Sequence, residues 1–282
     1  MIVYLNGRFM PKDEARISPD DRGILFADGV YEVVRAYGSR LFRMGPHLKR
    51  LERSLRILRI PQPEEDFAAI AQKLLRDNGL DTGDATVYVQ ITRGAVSPRK
   101  HTFPDGEIAP TVYAAASPFD PVPEKGKAGV RVVLHPDMRW ARCDIKSLAL
   151  LPNVLAAQYA VEHGAEEAVL VRDGMVTEGS HTSFCAVYDG VLVTSPKSNY
   201  ILGSITRDTV LDLCRKLDIP VREFPIQVTD LNGADECMIL GTGSEVTPVV
   251  QVDDWRVGDG KPGPVTRRLQ QAYCALYEGP DT

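Results

Sequence analysis

A mixed α/β protein of two domains is what this sequence predicts, and three observations carry the prediction. Short runs rich in β-branched and aromatic residues alternate with longer runs whose leucines recur at helical spacing, the two periods expected of strands and amphipathic helices. A stretch with three prolines and several charges, 117–128, interrupts that pattern as a linker would. The chain has 282 residues, 44% of them hydrophobic, enough to fill a sizeable core in each of two compact domains. The expected organisation is a small α/β domain over 1–118, a linker over 119–128 and a larger α/β domain over 129–282.

Taken in order, residues 2–5 and 8–10 read as a hairpin, because Asn6-Gly7 supplies the positive φ angles of a tight turn. The polar, glycine-containing stretch 18–29 reads as a loop. It leads into a β-rich strand over 30–37, which contains Tyr31 and Glu32 and turns at Gly38-Ser39 into 40–42. Leu48, Leu51, Leu55 and Leu58 then mark an amphipathic helix, with Lys49, Arg50, Arg53 and Arg56 interleaved. A second helix over 64–78 places Phe67, Ile70, Ala71, Leu74 and Leu75 on one side and stops at Gly79. Strands follow over 85–92 and 111–116. The loop between them carries Arg99 and His101 near Pro98 and Pro104, which stiffen it.

Beyond the linker, the run 130–134 reads as a strand and 153–163 as a helix ending at Gly164. Lys146 lies between them and is expected where the strand ends over the core. Asp173-Gly174 joins 168–171 to 175–177, and Asp189-Gly190 joins 184–188 to 191–194, as two hairpins. Residues 202–208 lead into a helix over 209–217; a buried strand covers 236–240, and a last helix runs over about 265–277.

Composition excludes several functions. A formal net charge of −5 argues against nucleic acid or an anionic membrane as partner, which leaves small molecules. No apolar run reaches the roughly 18 residues of a membrane span, and residues 1–10 lack the basic-then-apolar form of an export signal. Five scattered cysteines (Cys143, Cys185, Cys214, Cys237 and Cys274) include no pair at metal-ligand spacing and read as reduced, so a cytoplasmic protein is expected. Gly258, Gly260 and Gly263 fit a dinucleotide fingerprint, but Pro262 and Pro264 crowd them and too little chain follows for a βαβ unit. The five histidines have no metalloprotease spacing and no Gly-x-Ser-x-Gly elbow is present, so no metal site and no serine-hydrolase mechanism is expected.

Four groups carry candidate chemistry. Lys146 is either a lysine that snorkels to solvent or one whose amine forms Schiff bases. Arg99 and His101, two apart on a stiff loop, are either solvated or a carboxylate clamp, since the guanidinium fork matches a carboxylate. Glu178 ends a strand some thirty residues after Lys146. Two glycine-hydroxyl turns, 202–206 and 241–244, offer amides to an anion. A Schiff-base amine, an acid for a ring nitrogen and a phosphate cup are together what pyridoxal phosphate requires.

Those residues lie in motifs, and the motifs resemble a family. Asp21-Arg22-Gly23, Asp28-Gly29-Val30-Tyr31-Glu32, Thr92-Arg93-Gly94 and Ser97-Pro98-Arg99 with His101 come first. Arg139-Trp140, Arg142-Cys143-Asp144-Ile145-Lys146-Ser147-Leu148, Thr177-Glu178-Gly179-Ser180, Ile205-Thr206-Arg207-Asp208 and Ser244-Glu245-Val246-Thr247-Pro248 follow in order. The chain resembles the class IV, or fold type IV, pyridoxal-phosphate aminotransferases, and within them the D-amino-acid branch.

The resemblance implies the two-domain fold of that family and a homodimer. It implies that Lys146 bears the cofactor and moves the proton, that Glu178 pairs with the pyridinium nitrogen, and that Arg139 supports the ring-hydroxyl side. Arg50, Ile205, Thr206 and Thr242 would hold the phosphate, and Leu202 would pack on the ring. Tyr31, Arg99 and His101 would clamp the substrate carboxylate, the last two reaching across to the partner subunit. The implied reaction moves an amino group from D-alanine or another D-amino acid to a 2-oxo acid such as 2-oxoglutarate. An L-branched-chain aminotransferase and an aminodeoxychorismate lyase are the alternatives; the Arg-x-His pair argues against the first. His181, Ser183, Ser204, Gly241 and Gly243 depart from the family's usual residues.

Overall fold

The computed structural model describes residues 1–278, which form two compact units. The first comprises Met1–Pro121 and Ile145–Ala149; the second comprises Val122–Asp144 and the described chain from Leu150 onward. The segment bearing Lys146 therefore belongs to the first unit, while the chain on both sides of it belongs to the second. The expected division, with everything from 129 onward in the larger domain, does not include this return of the chain.

The first unit contains β1 (Ile2–Leu5), β2 (Arg8–Pro11), α1 (Arg22–Phe26), β3 (Gly29–Tyr37), β4 (Arg40–Leu41), α2 (Met44–Leu58), α3 (Phe67–Asp77), β5 (Asp84–Thr92) and β6 (Thr111–Pro118). Its strands form one antiparallel sheet in the order β2-β1-β6-β5-β3-β4. The leucine stripes expected of the two helices are the stripes that are buried. Leu51 and Leu55 of α2 and Leu74 and Leu75 of α3 cluster with Val30, Val87 and Ile91 of the sheet. α1 replaces part of the expected loop: Asp21 caps it by accepting from the Gly23 amide, and a single capped turn is too short to show a helical period.

The second unit contains α4 (Pro123–Ala128), β7 (Val130–Pro136), α5 (Leu151–Glu162), β8 (Glu167–Arg172), β9 (Met175–Gly179), β10 (Ser183–Tyr188), β11 (Val191–Thr194), α6 (Ile205–Lys216), β12 (Val221–Glu223), β13 (Ile226–Gln227), β14 (Glu236–Gly241), β15 (Glu245–Val252), β16 (Trp255–Arg256) and α7 (Pro264–Glu278). The ten strands make a mixed sheet, β12-β11-β10-β14-β15-β7-β8-β9-β13, with β16 on β15. α4 occupies the expected linker, its Pro123 serving at the first helical position where no amide is needed. α6 starts at Ile205 rather than 209 because the Ser204 hydroxyl accepts from the Arg207 amide and caps it.

One positional expectation fails. β7 ends at Pro136, so Lys146 is not at a strand end. Asp137 turns the chain by accepting from the Arg139 amide two residues on, and the following segment reaches β3 instead. There the Tyr31 amide donates to the Lys146 carbonyl at 3.0 Å, the Leu148 amide donates to the Gly29 carbonyl at 3.0 Å, and Ser147 bridges Val30.

Leu74 is fully buried in the first core. Leu74→Ala is expected to cost about 3 kcal/mol, read as a lower urea midpoint than that of the unaltered protein.

Candidate active site

In the first unit, strand alternation sorts the residues of β3. Val30, Glu32, Val34 and Ala36 are buried, whereas Tyr31 and Val33 point the other way and are half-buried. Glu32 is thus a carboxylate in an apolar phase of the strand, and it is paired there. Arg50 of α2 donates to it through Nε at 2.7 Å and Nη2 at 2.8 Å, and His47 Nδ1 lies 2.8 Å from its Oε2. His47 and Arg50 are three apart, hence on one face of the helix. Burial would raise the Glu32 carboxyl, but the Arg50 charge and hydrogen bonds, together with His47, outweigh it and bring the pKa down to about 2. Burial lowers His47 below the usual histidine range. On the other side of β3, the half-buried Lys146 places its Nζ 4.2 Å from the centre of the Tyr31 ring.

The loop bearing Arg99 and His101 is secured by residues from separate motifs. Asp28 accepts from both Arg22 (Nε, 2.7 Å) and Arg93 (Nε, 2.8 Å; Nη2, 2.9 Å). Arg22 then donates through Nη1 to the Lys100 carbonyl at 2.7 Å. Asp21 accepts from Thr92 Oγ1, and the Arg22 amide donates to the Gly94 carbonyl. Arg99 and His101 are exposed and stand on Phe26, at 4.2 Å and 5.2 Å from its ring centre, rather than on Tyr31 or Lys146.

The second unit supplies a separate set. Glu178, 6% exposed near the end of β9, accepts from Arg139 Nη1 at 2.5 Å, and the Leu202 amide lies 3.1 Å from both of its oxygens. Burial pushes its carboxyl up to about 7, against the opposing pull of Arg139. Arg139 is itself held by Asp137, so its guanidinium lies between two carboxylates. The turn after Glu178 is fixed from beneath by Glu167, whose side chain is fully buried. Glu167 accepts from the Ser180 hydroxyl (2.5 Å), the Ser180 amide (3.1 Å) and Thr182 Oγ1 (2.8 Å). Gly179 is required there, because a Cβ would lie 2.1 Å from Thr182 Oγ1 and 2.8 Å from Glu167. His181 lies on the same turn with its side chain 65% exposed, its Nδ1 3.1 Å from Glu167 Oε2. At the start of α6 the amides of Ile205 and Thr206 have no acceptor among the described residues, as the first turn of a helix leaves them. Thr242 lies in the turn between β14 and β15.

Sequence reasoning does not single out Glu32, His47, Asp137 or Glu167 as site residues. Only Glu32 leaves a signal, as an acid in the apolar phase of a strand. The chemistry of the two sets is that of an amine on a constrained segment, a buried carboxylate with acceptor capacity remaining on Oε2, and a helix start able to receive an anion.

Groups of these kinds are what amine chemistry on a carbonyl cofactor carrying a phosphate calls for. The model of the amino-transferase class IV family matches residues 29–252, and the chain belongs to that family. It is 42% identical over 278 residues to a protein of Staphylococcus haemolyticus named D-alanine aminotransferase, covering 98% of each chain. The solved branched-chain amino acid aminotransferase of Escherichia coli superposes with a TM-score of 0.89 at 29% identity, covering 98% of this chain and 94% of that one. The branched-chain amino acid aminotransferase of T.th., solved with pyridoxamine 5'-phosphate, gives 0.88 at 29% identity, covering 98% and 93%. Class IV aminotransferases depend on pyridoxal phosphate, and the groups present fit it: the open amides at α6 suit its phosphate and Glu178 Oε2 suits its ring nitrogen.

Two outcomes follow from this geometry. A Cβ at position 29 would meet the Ile91 carbonyl and Leu148 Cδ1, each at 2.7 Å, so Gly29→Ala should displace the Lys146 segment and lower pyridoxal-phosphate occupancy, read by absorbance of the purified protein. The depressed Glu32 carboxyl adds stability that is complete above the ordinary value of 4.5 and is lost as pH falls toward 2. Glu32→Gln should therefore flatten the acid limb of a melting-temperature profile over that window.

Proposed function

We propose that this protein is a D-amino-acid aminotransferase that moves the amino group of D-alanine and other D-amino acids to a 2-oxo acid such as 2-oxoglutarate. The observation that carries the reading is near-full-length similarity to a protein named D-alanine aminotransferase, in a chain that has Tyr31 and the Arg99-x-His101 pair. Pyridoxal phosphate, when bound, supplies the electron sink for the bond broken at the substrate α-carbon. Lys146 Nζ would hold the cofactor and would move a proton at the substrate α-carbon. Tyr31 limits the positions open to that amine by packing its ring against it. Glu178, oriented by Arg139, would pair with the ring nitrogen, and Leu202 would pack on the ring. The residues proposed to hold the phosphate are Ile205, Thr206, Thr242 and Arg50.

Arg99 and His101 bind the substrate carboxylate, and we assign them to the site of a partner subunit in a homodimer. Their exposure on a loop anchored through Arg22 supports that assignment. So does the outward face of α5, where Leu151, Val154, Leu155 and Val161 are all exposed, an apolar patch of the kind buried between subunits. No helix among the described residues is long and apolar enough to cross a membrane. Five cysteines without disulfides support a reducing, cytoplasmic location.

Purified protein offered D-alanine with 2-oxoglutarate should release pyruvate, and borohydride should fix the cofactor on Lys146. Turnover of L-leucine without D-alanine would favour the branched-chain activity instead. Arg99→Ala should raise KM for D-alanine by about tenfold or more, as loss of a charge-assisted hydrogen bond requires, while the protein stays yellow.

A further inference from the structure

Asp137 is a carboxylate of the second unit held by several partners, and neither the resemblance nor the reaction assigns it a task. Its side chain is fully buried. Oδ1 accepts from the Arg139 amide (3.1 Å) and Arg139 Nε (2.9 Å); Oδ2 accepts from Arg139 Nη2 (2.9 Å) and Thr177 Oγ1 (2.9 Å). Arg172 Nη2 lies 3.2 Å from Oδ1. The fork held in this way leaves Arg139 Nη1 aimed at Glu178.

Charge gives the arrangement its meaning. Two arginines, Arg139 and Arg172, stand against two carboxylates, Asp137 and Glu178, so the cluster is neutral. Among the described residues Asp137 is the only carboxylate paired with Arg172, whose Nε reaches no partner. Cys143, which also faces the cluster, is kept neutral by burial, its pKa pushed up to about 11. Were Asp137 uncharged, two cations would face Glu178 alone, and a protonated ring nitrogen would meet a net positive neighbour.

We infer that Asp137 is a positioning residue for Glu178: it grips Arg139 and neutralises Arg172, so that Glu178 keeps one oxygen for the protonated ring nitrogen and the groups around it add no net positive charge. The inference rests on the proposed pairing of Glu178 with that nitrogen. It is tested on holoenzyme loaded with pyridoxal phosphate labelled with 15N in the ring, following the nitrogen resonance against pH. Asp137→Asn should lower the pH at which the ring nitrogen loses its proton by about one unit or more, the usual effect of an uncompensated neighbouring charge. The double variant Asp137→Asn with Arg172→Gln, which restores neutrality, should return most of that shift. A packing role alone would show no such rescue. If Asp137→Asn does not fold, Arg172→Gln alone decides: it should move the titration upward, and an unchanged profile overturns the inference. A wild-type titration in Asp137→Asn, beside a large shift in Glu178→Gln, would overturn the role of Asp137 and leave the cofactor pairing standing. No shift in Glu178→Gln would overturn both.

Discussion

A clip of two backbone hydrogen bonds, joining residues 146–148 to the start of β3, is the constraint on which the first unit's chemistry depends. Lys146 sits on an irregular segment, and an irregular segment has no ladder of its own to hold it. The Tyr31 amide and the Gly29 carbonyl provide one. Because the same strand residue both donates to Lys146 and packs its ring against the lysine amine, backbone and side chain are set together. Gly29 is part of the clip: it lets the Leu148 side chain approach more closely than any Cβ would allow.

Around that constraint the molecule repeatedly solves one electrostatic problem, a carboxylate away from water. Glu32 takes Arg50 and His47; Asp28 takes Arg22 and Arg93; Asp137 takes Arg139 and Arg172; Glu236 takes the first amides and the Thr266 hydroxyl of α7. Buried charges are tolerated when their partners supply several directed hydrogen bonds, and arginine's planar fork does this better than lysine's point charge. Such pairs add little net stability over apolar residues, but breaking one strands the other. They specify geometry, and geometry is what the Arg99 loop and the Glu178 carboxylate require.

Glu178 differs from the others. Its partners do not fully offset its burial, so its carboxyl lies near neutrality where Glu32 and Asp137 lie near 2. A carboxylate with acceptor capacity left on Oε2 is poised to gain from a further positive donor, whereas Glu32 already faces both Arg50 and His47.

Elements with local signals are legible in the chain before it folds. The Asn6-Gly7, Asp173-Gly174 and Asp189-Gly190 hairpins and the leucine stripes of α2 and α3 follow from turn chemistry and side-chain period, and the motifs around Lys146 and Glu178 are legible through their resemblance to a family. Folding in three dimensions settled the rest: where Lys146 lies, that Glu32 meets an arginine from the next helix, and that Asp137 and Glu167 brace the residues around Glu178. Period and capping act over a few residues, whereas a hydrogen bond from Tyr31 to Lys146, or from Ser180 back to Glu167, depends on where folding brings distant backbone. Nothing in either residue's neighbours along the chain records that meeting.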